Sequence, residues 1–194
     1  MKTHISNICR SSYCYIRSIS RIRKCLSRCD TEKLVHAFIS SRLDQCNSLL
    51  AGLPSTTLEP LIRVQRSAAR LIMKVRKFDP ISLHMKTMHW LPIPQRIDFK
   101  VLILTYKCLY GNAPSYLQQL VHWHIPKRNL RSTNSYEMTV PVNKRNKKNF
   151  ADRAFVHIAP RLWNELPFVV RSSPTLETFK SRLKTHLFTI AYNF

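Results

Sequence analysis

Glycine is nearly missing from this chain: among 194 residues only Gly52 and Gly111 occur. A glycine-rich loop of the P-loop or Rossmann kind, whose backbone amides close around a phosphate, therefore has no place to form. Acidic residues are also scarce. Ten Asp and Glu stand against thirty-two Lys and Arg, a formal net charge of +22. The acids (Asp30, Asp44, Asp79, Asp98, Asp152, Glu32, Glu59, Glu137, Glu165 and Glu177) are scattered, with no two adjacent. A two-metal phosphoryl-transfer site needs clustered carboxylates to hold its cations, so a self-contained polymerase or nuclease centre is not expected. No apolar run reaches the roughly 18 residues that a membrane span requires. The N-terminus is basic and lacks an apolar stretch, so a secretory signal peptide is not expected.

C-x-x-C pairs are absent too. The six cysteines, Cys9, Cys14, Cys25, Cys29, Cys46 and Cys108, read as free thiols buried on helices in a reducing compartment. That implies an intracellular setting, with the nucleus compatible. Cys25 and Cys29 followed by His36 fit no strong zinc spacing. His122 and His124 put two imidazoles on one face of an extended segment, but no third ligand follows at a convincing distance, and a polar loop is expected. No nucleophile elbow occurs. Neither a metal nor a cofactor is implied.

What remains is a globular composition, 44% apolar, too rich in apolar residues for intrinsic disorder. Its positive field favours polyanionic partners. Helical periodicity dominates. Ile5, Ile8, Ser12, Tyr15, Ile16, Ile19, Ile22 and Leu26 form one face of a first helix, with Arg10, Arg17, Arg21, Arg23, Lys24 and Arg28 over much of the rest. Asp30 or Thr31 is the expected cap of a second helix running through Leu34, Val35, Phe38, Ile39, Leu43, Leu49 and Leu50. Thr56 to Glu59 reads as a capping box with Pro60 in the first turn of a third helix. Leu61, Val64, Ala68, Leu71, Ile72 and Val75 point inward there, and Arg63, Arg66, Arg70, Lys74, Arg76 and Lys77 mostly outward. Three such helices with short joints predict a small antiparallel bundle.

Downstream, Asp79-Pro80 predicts a short helix to about Met88, and Pro94 to Tyr110 a strong one with Gly111 as its C′ residue. Lys127 to Asn149 is basic and poor in apolar residues. It reads as an exposed insertion in which Tyr136 to Val142 alternates enough for one strand. Phe155, Ile158, Leu162 and Leu166 restore helical spacing, broken at Pro160, and an amphipathic helix follows Ser173-Pro174. Trp90 and Trp163 are expected as core anchors at helix joints rather than as base-stacking groups. The fold class is mainly α, divided as a bundle over 1–78, a second helical region over 79–125, a basic loop or hairpin over 126–149 and a C-terminal helical region over 150–194.

A series of ordered blocks is more specific than any of these features alone: Ser41-Arg-Leu-Asp-Gln-Cys-Asn-Ser-Leu-Leu50, Gly52-Leu-Pro54, Arg63-Val-Gln-Arg-Ser-Ala-Ala-Arg70, His89-Trp-Leu-Pro92, Gln95-Arg-Ile-Asp-Phe-Lys100, Leu104-Thr-Tyr-Lys107, Ala113-Pro-Ser-Tyr-Leu117, Asp152-Arg-Ala-Phe155, Ala159-Pro-Arg-Leu-Trp-Asn164, Leu166-Pro167 and Leu176 to Phe188. In this order they resemble the C-terminal part of the reverse transcriptase of LINE-type, jockey-like non-LTR retrotransposons, over nearly the whole chain. The resemblance implies that the first 78 or so residues are thumb helices, which in that family pack near the template–primer backbone, and that the rest is the post-thumb region. The family's catalytic aromatic-x-Asp-Asp turn has no counterpart here, because the chain has no Asp-Asp. No catalytic residue carries over. Gln45 stands where the family usually has an aromatic residue. The resemblance further implies that the ancestral reading frame extends upstream of Met1.

The expected activity is sequence-nonspecific binding to DNA, RNA or a hybrid, with no membrane partner. Arg10, Arg17, Arg21, Arg63, Arg66, Arg70, Lys144, Arg145, Lys147 and Lys148 are the candidate phosphate contacts. Two other readings stay open at this level: a host-domesticated basic nucleic-acid-binding module, and part of a longer, active polyprotein.

Overall fold

The computed structural model describes residues 1–125, 136–141 and 150–192. It is mainly helical, as expected, and among the described residues its only β pairing is one antiparallel bridge between Trp123 and Met138. The chain divides into two compact units, Met1–Ile97 with Ile190–Phe194, and Asp98–Thr189.

The first unit opens with α1 (Lys2–Ile22). Ile5, Ser12 and Ile19 recur at seven-residue steps, two helical turns, and form its buried line. After a single 3₁₀ turn, α2 (Arg28–Val35) begins one turn earlier than expected. Ser27, not Asp30 or Thr31, is its cap: the Ser27 hydroxyl accepts from the Asp30 amide at 3.1 Å and donates to the Asp30 carboxylate at 2.6 Å. Thr31 instead donates to the Ser27 carbonyl. The chain continues through a π-helical segment, His36–Ser40, into α3 (Ser41–Asp44).

This run stops before Leu49 and Leu50, short of the expected end. Cys46 turns into the left-handed region at φ 53°, a 3₁₀ turn follows, and Leu49 faces solvent. α4 (Ser55–Met73) also starts early, with Pro54 at its cap, so the Thr56–Glu59 capping box does not form and Pro60 lies inside the helix on its exposed side. Glu59 pairs with Arg63 one turn on. Leu61, Val64, Ala68 and Ile72 are buried as expected. α1 and α4 run parallel. Lys2, Ile5 and Cys9 lie beside Thr56, Thr57 and Pro60 at one end, and Arg23 reaches Leu71 and Ile72 at the other.

α5 (Ser82–Thr87) is the expected short helix, and α6 (Ile93–Leu109) the expected strong one. Between them Trp90 is buried beneath a ring contact with His36. Gln65, wholly buried in α4, donates to the Leu91 carbonyl, and Tyr192 donates to that of Trp90.

In the second unit α6 ends as expected. Gly111 sits at φ 73°, and the Asn112 amide returns to the Lys107 carbonyl at 2.8 Å, a Schellman closure. α7 (Ser115–Gln118) is one turn. α8 (Phe155–Asn164) runs straight through Pro160, where a break was expected. An interior proline costs about 3 kcal/mol in lost hydrogen bonding and steric conflict. Here Pro160 is buried together with Ile158, Ala159 and Trp163, and that packing offsets the cost. α9 (Phe168–Arg171) and α10 (Leu176–Tyr192) complete the unit, α10 burying Phe179, Leu183 and Leu187.

Trp163 is the centre of this core, as its anchor role predicted. It stacks on Phe179 at 5.5 Å, which stacks on Tyr106 at 4.6 Å, and its indole N–H donates to the Tyr136 carbonyl at 2.8 Å. The next residue, Asn164, acts like a neighbouring strand. Its side-chain oxygen accepts from the Met138 amide and its NH₂ donates to the Met138 carbonyl. On the other side of that segment His124 donates to Glu137 and Thr139 to His122. The alternation from Tyr136 is thus used, in one bridge and one side-chain clamp, rather than in a strand.

Candidate nucleic-acid interface

α1 contains no acidic residue at all; the first in the chain is Asp30. Arg10, Arg17 and Arg21 fall within about 40° of one another around the helix axis and span about 16 Å along it. All three are exposed, on the side away from Ile5, Ser12 and Ile19. Among the described residues none of them takes part in a hydrogen bond or ion pair. α4 repeats the pattern. Arg63, Arg66 and Arg70 lie opposite its buried line, and no acid occurs between Glu59 and Asp79.

The α4 row is less independent. Arg63 holds Glu59 at 3.3 Å, a solvent-exposed pair worth little. Arg70 donates to the carbonyls of Arg76 (3.3 Å) and Asp79 (3.2 Å) and so ties down the turn after the helix. Arg66 is exposed and makes neither kind of contact among the described residues. Lys144, Arg145, Lys147 and Lys148 lie outside the described residues.

Other cations serve the fold. Arg23, grouped by the sequence with the solvated face of α1, is buried. It gives three hydrogen bonds to the carbonyls of Leu71, Leu26 and Ile72, capping the C-terminus of α4. The signal was there: Arg23 lies four residues past Ile19, on the buried line. Arg96 grips both oxygens of Asp44, at 2.9 and 3.1 Å, and donates to the Leu91 carbonyl. Arg42 lies over the Tyr15 ring at 4.9 Å and donates to its hydroxyl.

The thiols are free as expected, but not buried as expected. Cys14 and Cys29 are exposed because they lie off the buried lines of α1 and α2, and Cys25 and Cys46 are exposed in the turns that follow helices; Cys9 is half-buried, and only Cys108 is buried. Burial raises the thiol pKa of Cys9 and Cys108. His122 and His124 are both exposed, flanking the inward Trp123. Among the described residues no three His, Cys, Asp or Glu side chains converge as a metal site would require.

One acid is perturbed. Burial, and secondarily the charge of Glu165, raise Asp98 to about 6. The folded chain therefore binds this proton more tightly than the unfolded chain does. Stability falls as pH rises from about 4 to about 6 and stays at the lower level above that. Asp98→Asn removes the penalty. It is expected to stabilise the chain at pH 7 by on the order of 2 kcal/mol and to be neutral near pH 4. Urea melts at the two pH values check this; equal effects at both would refute the assignment.

No protein-family model matches the chain, and no match was found among the curated proteins or the solved structures. Among the described residues no helix is long and apolar enough to cross a membrane.

Proposed function

We propose that this chain is a non-catalytic, sequence-nonspecific nucleic-acid-binding fragment of a LINE-type retrotransposon reverse transcriptase, made of its thumb and post-thumb parts. The observation that carries this is the row of Arg10, Arg17 and Arg21, exposed along an acid-free helix. A solvated helix face normally mixes both signs. Three cations in line without counter-charges suit a run of backbone phosphates, whose neutralisation releases counterions.

The acids support the non-catalytic part. Asp44, Glu59, Glu137 and Glu177 each face a cation of the chain itself, and Asp79 caps the Arg76 amide. Cation-dependent polymerisation needs carboxylates converging on one point, and the sequence holds no Asp-Asp.

Titrating purified chain against two duplexes of unrelated sequence tests the reading. About six phosphate contacts would lower affinity roughly a thousandfold between 50 and 200 mM salt, equally for both. A strong preference for one duplex, or binding indifferent to salt, would refute it. Incubation with a primed RNA template, dNTPs and Mg²⁺ is expected to give no primer extension beyond a mock purification.

A further inference from the structure

Phe78 is 91% exposed, the most exposed large apolar side chain of the described residues. It does not dangle. The turn that carries it, Arg76–Asp79, is closed by the Asp79 amide on the Arg76 carbonyl (3.3 Å) and by the Asp79 carboxylate on the Arg76 amide (3.2 Å). Arg70, from the last turn of α4, clamps both ends through the Arg76 and Asp79 carbonyls. Four hydrogen bonds thus tie the backbone of a turn whose ring buries almost nothing. Lys74, Arg76 and Lys77 around it are all exposed, and the Lys77 ammonium sits 5.6 Å from the ring centroid. The only acid of the turn, Asp79, is engaged by the backbone. The turn also continues directly from the α4 row, since Arg70 is both the end of that row and the clamp.

An exposed aromatic ring on a hydrogen-bonded turn, set among exposed cations, is the arrangement that binds single strands: phosphates take the charges and a base takes the ring. We propose that Phe78 stacks on an unpaired base of a single-stranded nucleic acid whose phosphates are held by Lys74, Arg76 and Lys77. This rests on the phosphate-binding reading above and adds a preference for unpaired over duplex substrate at this turn. An acidic bilayer also offers negative charge. However, interfacial anchoring scales with buried apolar area, so one ring is a weak anchor, whereas one ring suffices to stack one base.

The experiment compares full-length wild type, Phe78→Ala and Phe78→Trp by fluorescence anisotropy. The probes are a labelled oligothymidylate, an abasic strand of the same length, a duplex, and vesicles containing phosphatidylserine. Wild type is expected to bind oligothymidylate more tightly than the abasic strand. Phe78→Ala should lose about 5- to 100-fold on oligothymidylate and nothing on the abasic strand or duplex, and Phe78→Trp should restore the loss. Helicity should not change, because the ring takes no part in the core. Equal losses on the abasic strand, or no loss on oligothymidylate, overturn the stacking role while leaving phosphate binding intact. Loss of vesicle binding with unaltered strand binding makes Phe78 a membrane contact and overturns it as well. Wild type that binds none of the nucleic acids overturns the phosphate reading itself.

Discussion

Replacing Arg10, Arg17 and Arg21 together by Gln is expected to flatten the log–log salt dependence of duplex binding by about 2.7, at roughly 0.9 per lost phosphate contact. Gln keeps the helix propensity of Arg, so α1 should persist. No acid on α1 loses a partner, since the helix has none. Among the described residues these three side chains make no hydrogen bond or ion pair within the fold, so the substitution removes charge and little else. The loss should be equal for unrelated sequences, because phosphate contacts position a protein without reading bases.

The matching triple change on α4, Arg63, Arg66 and Arg70 to Gln, should flatten the slope comparably but also loosen the Arg76–Asp79 turn, which Arg70 holds. Comparing the two triples separates charge from structure. An unchanged slope in the α1 triple, with helicity intact, would mean that its arginines serve only to solvate the chain.

Helical spacing carried most of the fold into view. The buried lines of α1 and α4, the short α5, the long α6 and its Gly111 closure all follow from period and punctuation that act within a few residues. Two of the misreadings arise where a simple local rule loses to the packing or bonding around a residue. Pro160 should break a helix, but its ring is buried with Ile158 and Trp163. Arg23 should face water, but the unsatisfied carbonyls of α4 lie forty-eight and forty-nine residues away in sequence. The exposed arginines were legible because exposure on an amphipathic helix is local information. That Arg70 is a clamp and Arg66 is not was illegible, because it depends on where the chain turns after the helix. Phe78 was unremarkable in sequence; only its exposure on a tied turn sets it apart.

The block from Ala159 to Asn164 gives the strongest stability prediction. Trp163 has no exposed surface, stacks on Phe179, meets Trp123 edge-on at 6.1 Å, and donates its indole proton to the Tyr136 carbonyl. Trp163→Ala removes a large apolar surface, opens a cavity and leaves that carbonyl without its donor. Aromatic-to-alanine changes in well-packed cores cost about 3–5 kcal/mol, a large share of the roughly 5–15 kcal/mol that holds a domain folded. Trp163→Phe restores part of the ring but not the hydrogen bond, so about 1–3 kcal/mol should remain lost. Asn164→Ala is the sharper companion: it creates only a small void but strips the Met138 amide and carbonyl of both partners, for a similar 1–3 kcal/mol. Because Trp163 and Asn164 hold the same short segment, Tyr136 to Met138, from adjacent positions, their losses should not add. Once one releases the segment, the other has less left to hold. Chemical denaturation of the two single variants and the double variant measures the coupling. Strictly additive losses would mean that the two residues support separate parts of the fold, and a Trp163→Ala variant as stable as wild type would remove the indole from the core altogether.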